Sequence, residues 1–408
     1  MKFELFKLNT LIILSVCTAV LIGSCTDIHK KTAPPRLESA GLVRLEPPQY
    51  PVFADDINYG GLTQGIRASL TYLKKIPPAR KFQFGNDTFN AAYMIRSFEH
   101  FLTIIQNKPT PQVLSDIIRT QYLVYQANGK GDAPSAFFTG YYEPQLQGRL
   151  QAGGEYKYPV YGRPDDLNSI DLALFSSEFK GKKIYGRYSP DGFIPYFNRN
   201  EIENLKVLEK RVVPLAWVKD RIALFFLHIQ GSGRIVLKNG DVIHVCYDAQ
   251  NGRPYRSIGK LLIEQRKITK KAMSMQKIRE YLKNHPSEAD AILNYNPSYI
   301  FFTLQKDGPY GSLGVKLTPG RSIATDRRVC PPAALAFIQT QKPVLDQTGH
   351  IQSWTDFSRF ALNQDTGGAI KGPGRADLFW GSGHYAEIAA GHLKHPGNIY
   401  FLILKPDV

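Results

Sequence analysis

Hydrophobic and polar positions divide the chain into segments of different period. Over residues 89–105, Met94, Phe98, Phe101 and Ile105 recur at i, i+4, i+7 and i+11, one face of an amphipathic helix. Thr110-Pro111 supplies an N-cap with proline at the first helical position, and Leu114, Ile117 and Ile118 predict a second helix running on to Gly129. From Ala136 the texture changes. AFFTGYYEP, RIALFFLHIQGSGRIVL and DVIHVCYD are short apolar or alternating runs broken by glycine, and they predict strands. Helices are predicted over 257–266, 273–283 and 287–293, the last opened by a Ser287/Asp290 capping box. After Asn296-Pro297 the strands resume, through RADLFWG to NIYFLILKP. Strands, then helices, then strands again predict a mainly β protein with peripheral helices and one β-rich domain inserted into another.

Two N-terminal stretches fit no folded element. Lys2 and Lys7 flank the start of a short apolar core, LNTLIILSVCTAVLIGS, which makes residues 1–24 a signal peptide too short and too early for a membrane span. The core ends in Ile22-Gly23-Ser24-Cys25, similar to a bacterial lipoprotein processing box, with Cys25 as the expected lipidated residue. Ordinary secretory cleavage near Ser24 is the alternative. A diacylglycerol plus an amide-linked acyl chain anchors stably to membrane, and Thr26 at the second mature position favours the outer membrane, with the protein on its periplasmic face. Residues 25–56, with Pro34, Pro35, Pro47, Pro48 and Pro51, are expected to be a tether.

Composition narrows the partners. Hydrophobic residues make up 43% of the 408 and charged residues 21%, which is ordinary for one large domain or two. The net charge is +16, and loss of residues 1–24 with Lys2, Lys7 and Glu4 lowers it by one to +15. That surplus asks for an anionic partner. Export argues against nucleic acid and in favour of phospholipid head groups or an acidic wall polymer. Cys246 and Cys330 remain after processing; they could pair, though Cys246 sits in an apolar run that reads as buried. No CxxC, HExxH or His/Cys cluster suggests a metal, and no glycine-rich phosphate loop or GxSxG elbow is present. No metal or organic cofactor is expected.

The chemistry concentrates in NQDTGGAIKGPGRADLFWGSG, residues 363–383, where Asp365 and Asp377 stand among six glycines. On a strand over 375–381, Asp377 shares a face with Phe379, while Ala376, Leu378 and Trp380 point the other way. Such neighbours desolvate a carboxyl and raise its pKa, which suits a general acid for a glycosidic oxygen. A strand-end aspartate capping a turn is the plainer reading. Asp365 precedes two glycines and reads as a turn residue or a support for Asp377. Lys371 and Arg375 could hold an anionic ligand or lower nearby carboxyl pKa values. HIQGSGR, at an apparent strand end, presents His228 to a cleft or to the core. GYYEP and Trp380 offer aromatic planes for sugar rings, and RPYRSIG sets two arginines before a helix start.

In this order, FTGYYEP, HIQGSG, NGRPYRSIGKLL, SMQKIREYL, NPSYIFF, SIATDRRVCPP, DTGGAIKG and RADLFWG resemble the membrane-bound lytic murein transglycosylases of type A. The resemblance implies a double-psi β-barrel split in sequence, with a second β-rich domain inserted and a groove between them. The boundaries it suggests are 57–144 for the helices and first barrel part, 145–307 for the insert and 308–408 for the second barrel part. It implies cleavage of the β-1,4 bond between N-acetylmuramic acid and N-acetylglucosamine in peptidoglycan strands, leaving a 1,6-anhydromuramoyl end. Asp377 becomes the single acid/base, and Asp365 lines the same groove. Tyr141, Tyr142, His228, Gln230, Ser232, Tyr255, Asp326, Lys371 and Trp380 become expected substrate contacts. Some relatives carry an aspartate ahead of QGSG where this chain has His228, so that role does not transfer. Wall-synthesis or wall-hydrolysis complexes are further expected partners. A glycan hydrolase on the same barrel and a non-catalytic wall-binding lipoprotein are the rival readings.

Overall fold

Residues 41–127 and 136–408 are described by a computed structural model; the signal segment and Cys25 lie outside them. The N-terminal part runs β1 (Leu42–Arg44), α1 (Leu62–Leu73), the hairpin β2 (Lys81–Phe84) and β3 (Asp87–Asn90), α2 (Ala91–Gln106), α3 (Pro111–Gln121) and β4 (Tyr122–Ala127). Helix α2 buries Met94, Phe98, Phe101 and Ile105, the stripe read from the sequence. Helix α3 starts at the Thr110 cap, but it ends at Gln121 and not at Gly129. The next residues, Tyr122 to Tyr125, are all buried in a strand, and sheet pairing on both edges outweighs continuation of the helix.

After β5 (Ala136–Glu143) the chain leaves one sheet for another at Pro144. The inserted part comprises β6 (Gln145–Arg149), β7 (Tyr158–Tyr161), the three-stranded sheet β8 (Asn168–Asp171), β9 (Lys183–Ser189) and β10 (Gly192–Pro195), then α4 (Arg199–Glu203). It continues with β11 (Pro214–Val218), α5 (Arg221–Gln230), β12 (Ser232–Leu237), β13 (Val242–Gln250), α6 (Ile258–Glu264), α7 (Met275–Asn284), α8 (Pro286–Asn294) and β14 (Ile300–Gln305). Its main sheet has the order β14-β13-β12-β6-β11-β7.

The chain then returns to the first sheet with β15 (Ser322–Ala324), β16 (Leu335–Leu345), β17 (Ile351–Asp365), β18 (Arg375–Ser382), α9 (His384–His392) and β19 (Lys394–Leu404). Here β19-β16-β17-β15-β18-β5 form a ring, closed because β19 also pairs with β5. Two neighbour pairs in the ring, β15–β17 and β18–β5, are parallel. The result is a split double-psi β-barrel with a β-rich insert and a groove between them.

Three expectations are corrected. RIALFFLHIQ is a helix, α5, and not a strand: Asp220 accepts from the backbone N–H groups of Ile222 and Ala223, and Gly231 ends it in the left-handed conformation. Its apolar residues face two clusters at once, Leu224 and Leu227 toward the insert sheet and Phe225 and Phe226 toward the α6–α8 helices. A helix with apolar residues on opposite faces has no single 3.6-residue stripe to read. Ser287 does not cap α8, which starts at Pro286; Asp290 instead meets Arg221. The tether cannot extend to residue 56. Leu42–Arg44 pair with β4, Phe53 is fully buried, and Asp55 and Asp56 pair with Arg321 and Arg359 on the barrel. Proline excludes a central strand, but it does not exclude ordered packing.

The insert helices dock on the barrel through polar contacts. Gln276 Nε2 donates to the Glu387 carbonyl at 2.9 Å, and Arg279 reaches the Tyr142 hydroxyl at 3.0 Å and the Glu387 carboxylate. Cys246 and Cys330 are both free and buried.

Candidate active site

The barrel brings three strands together around the two aspartates. Ala324 on β15 pairs with Asp365 on β17 to one side and with Asp377 on β18 to the other. The two carboxyl-bearing residues are therefore two strand spacings apart, roughly 9–10 Å between backbones. On the far side of β18, parallel β5 sets Thr139 beside Asp377 and Tyr141 beside Phe379. Alternation does the rest: Thr139, Tyr141, Asp377 and Phe379 share the groove face, while Phe138, Ala376, Leu378 and Trp380 enter the barrel core.

The two carboxyls have different surroundings. Asp365 accepts three hydrogen bonds, from Ser312 N–H and Thr366 N–H at 2.8 Å each and from the Tyr141 hydroxyl at 3.1 Å. Burial still raises its pKa, against the pull of those donors. Asp377 accepts from one side chain, the Thr139 hydroxyl, with the Arg375 guanidinium 3.7 Å from the same oxygen. Its pKa is raised too, by burial, with Thr139 and Arg375 as the opposing influences. A carboxyl with one donor and a desolvated face keeps its proton to higher pH and has an oxygen free to use it. On Asp365 both oxygens already accept, Oδ1 from two backbone N–H groups and Oδ2 from Tyr141, so neither is left without a donor. Tyr141 bonds Asp365 and not Asp377; its ring lies 5.2 Å from Phe379, and burial plus the two carboxylates raise its pKa well above 10, so it stays a neutral donor.

Arg375 and Asp326 shape the rim. Arg375 donates to Thr139 Oγ1 at 3.0 Å and covers the Phe137 ring at 5.2 Å. Asp326 accepts from Gly372 N–H at 2.8 Å and is held in two places by Arg328, which keeps its carboxyl well below the usual range. Asp326 thus fixes the loop carrying the exposed Lys371 and is not free for a ligand.

Several expected substrate contacts lie elsewhere. Tyr142 is buried on the opposite face of β5 from Tyr141, in the Arg279–Glu387 contact. Trp380 is also buried on the core side, packed over Gly140, where a Cβ would come within 2.7 Å of its Nε1. His228 is enclosed by Tyr299 and Phe302, with Nδ1 2.9 Å from Arg199 Nη1. Burial and that guanidinium push its pKa well below 6.5, so it is a neutral core residue. Gln230 accepts from Tyr142 N–H at 3.1 Å and ties the insert to the barrel, and Ser232 is buried opposite Cys246. Tyr255 is exposed on the loop ahead of α6, with no hydrogen bond to either aspartate among the described residues. Thr139 and Ser312 were missed. Thr139 lies in FTGYYEP, two residues before Tyr141, but the parallel register that brings it to Asp377 is not written in local sequence.

Known proteins resemble this chain in sequence and fold. A family described as the MltA specific insert domain matches residues 137–303, and one described as the 3D domain matches residues 321–403. The membrane-bound lytic murein transglycosylase A of Escherichia coli K12 is 31% identical over 286 residues, 69% of each chain, and that of Vibrio cholerae is 30% identical over 285 residues, 69% of this chain and 68% of its own. Among solved structures, a membrane-bound lytic murein transglycosylase from Agrobacterium tumefaciens superposes with a TM-score of 0.73 at 29% identity, covering 89% of this chain and 98% of its own. E. coli MltA with bound chitohexaose superposes with a TM-score of 0.66 at 25% identity, covering 90% and 95%. The chain belongs to the membrane-bound lytic murein transglycosylase A family.

Proposed function

We propose that the protein is a lytic transglycosylase of peptidoglycan that cleaves the β-1,4 bond from N-acetylmuramic acid to N-acetylglucosamine with Asp377 as its only acid/base. The observation that carries this is the contrast in donors: one side-chain hydroxyl on Asp377, three donors on Asp365. Protonated Asp377 gives its proton to the glycosidic oxygen as the bond to C1 breaks. The resulting carboxylate takes the proton of the muramoyl 6-hydroxyl as that oxygen bonds to C1. Asp377 ends protonated, no water is consumed, and the product carries a 1,6-anhydro end. One carboxyl suffices because the nucleophile belongs to the substrate. The chitohexaose bound to E. coli MltA supports a glycan substrate here, and the +15 surplus suits acidic stem peptides and lactyl groups. A lipid anchor at Cys25 would hold the enzyme to the periplasmic face of the outer membrane.

The two-strand separation of Asp365 and Asp377 leaves room for one rival, an inverting hydrolase, which places a water between two carboxyls. The donors on Asp365 oppose it, since a base that activates water needs an oxygen free to accept. Mass spectrometry of soluble fragments from purified sacculi separates the two. Anhydro-ended muropeptides from the wild type and none from Asp377→Asn support the transglycosylase; fragments one water heavier would make it a hydrolase.

A further inference from the structure

The Thr139 hydroxyl has two neighbours that fix its role. Arg375 Nη2 donates into Thr139 Oγ1 at 3.0 Å, and a guanidinium can only donate. The hydroxyl hydrogen then goes to Asp377 Oδ1, its one acceptor among the described residues. The relay runs in a single direction, from Arg375 through Thr139 to Oδ1. An oxygen already accepting a hydrogen bond is the poorer place for the acid's own proton. We propose that Thr139 and Arg375 are positioning residues that place the proton of Asp377 on Oδ2, the oxygen left for the substrate. The inference rests on the acid/base reading of Asp377 above. It gives Thr139, 238 residues away in sequence, a share in the reaction without contact with the sugar.

The relay acts in both half-steps. In the first, Oδ2–H faces the glycosidic oxygen and its proton leaves with the departing sugar. In the second, the Thr139 hydroxyl holds Oδ1 as an acceptor, so the proton from the muramoyl 6-hydroxyl returns to Oδ2. Without the hydroxyl the proton distributes over both oxygens, and the carboxylate loses a donor that favours ionisation.

The test is the pH profile of muropeptide release at low substrate for Thr139→Val, Thr139→Ser and Arg375→Gln, with Asp377→Asn alongside and melting curves for all. Removal of the hydroxyl raises the pKa of the acid, so the limb on which activity falls with rising pH moves up by about one unit in Thr139→Val. Activity on the plateau drops roughly tenfold or more. Thr139→Ser returns both to wild-type values, and Arg375→Gln moves the limb in the same direction as Thr139→Val. An unmoved limb in Thr139→Val or Arg375→Gln, or a serine variant that behaves like the valine one, overturns the relay. If those limbs stay put while Asp377→Asn is dead, the relay fails and the acid assignment stands. Activity in Asp377→Asn removes the assignment itself.

Discussion

Two aspartates of this barrel are taken out of water and treated in opposite ways. Asp55, with a side chain 1% exposed, meets Arg321 in a two-pronged pair at 2.5 and 2.8 Å and also accepts from the N–H groups of Phe360 and Tyr59. Its pKa is lowered although burial pushes the other way. Asp377 is 22% exposed at its side chain, has one hydroxyl and a more distant guanidinium, and its pKa is raised. Burial alone therefore does not decide the charge of a carboxyl here; a guanidinium held in direct contact does, since Asp365, with three neutral donors, is raised as Asp377 is. The first arrangement holds the N-terminal segment to the barrel, and the second leaves a proton available.

The sharpest break of this comparison is Asp377→Asn. It should cost about 10³-fold or more in release of muropeptides from sacculi, while melting stays at or above the wild-type temperature, because a neutral amide replaces a poorly paired carboxyl. Asp55→Ala should do the reverse. Arg321 would be left buried without its partner, a loss of about 3–5 kcal/mol in denaturant unfolding, with activity per folded molecule retained. Asp365→Asn, the intermediate case, removes one of three accepted bonds and should lower the rate about tenfold while the product keeps its anhydro end by mass. The smallest effect concerns pH. The folded pKa of Asp55 lies below its unfolded value, so its contribution is complete above about pH 4 and fades as pH falls through the folded pKa. Asp55→Asn should flatten that acid limb in melts taken from pH 7 downwards.

Much of the site was legible before the fold. The alternation in RADLFWG placed Asp377 and Phe379 on one face and Ala376, Leu378 and Trp380 on the other, as β18 does. Trp380 and Tyr142 were expected as sugar platforms, yet each is one residue out of step with a groove residue and is buried. Their aromatic character carried more weight than their parity. His228 was illegible because α5 is apolar on opposite faces, and Arg199, which occupies its Nδ1, arrives from another element. Residues 41–56 looked like linker because their proline content hides a short strand and two ion pairs with arginines 266 and 303 residues away. Contacts over such distances leave no local trace, and Thr139 with Asp377 is a further example.

The closure of the barrel by β19 on β5 has a consequence in time. Thr139 and Tyr141 are among the early residues of the folded body, and Asp377 is made only after the whole insert and most of the second barrel part. Even then β5 lacks its second neighbour until Lys394–Leu404 exists. A chain stalled or clipped anywhere before that last strand keeps an open ring, with the acid's surroundings incomplete. Completion of the ring around the acid is thus tied, by connectivity alone, to the last strand of the described fold.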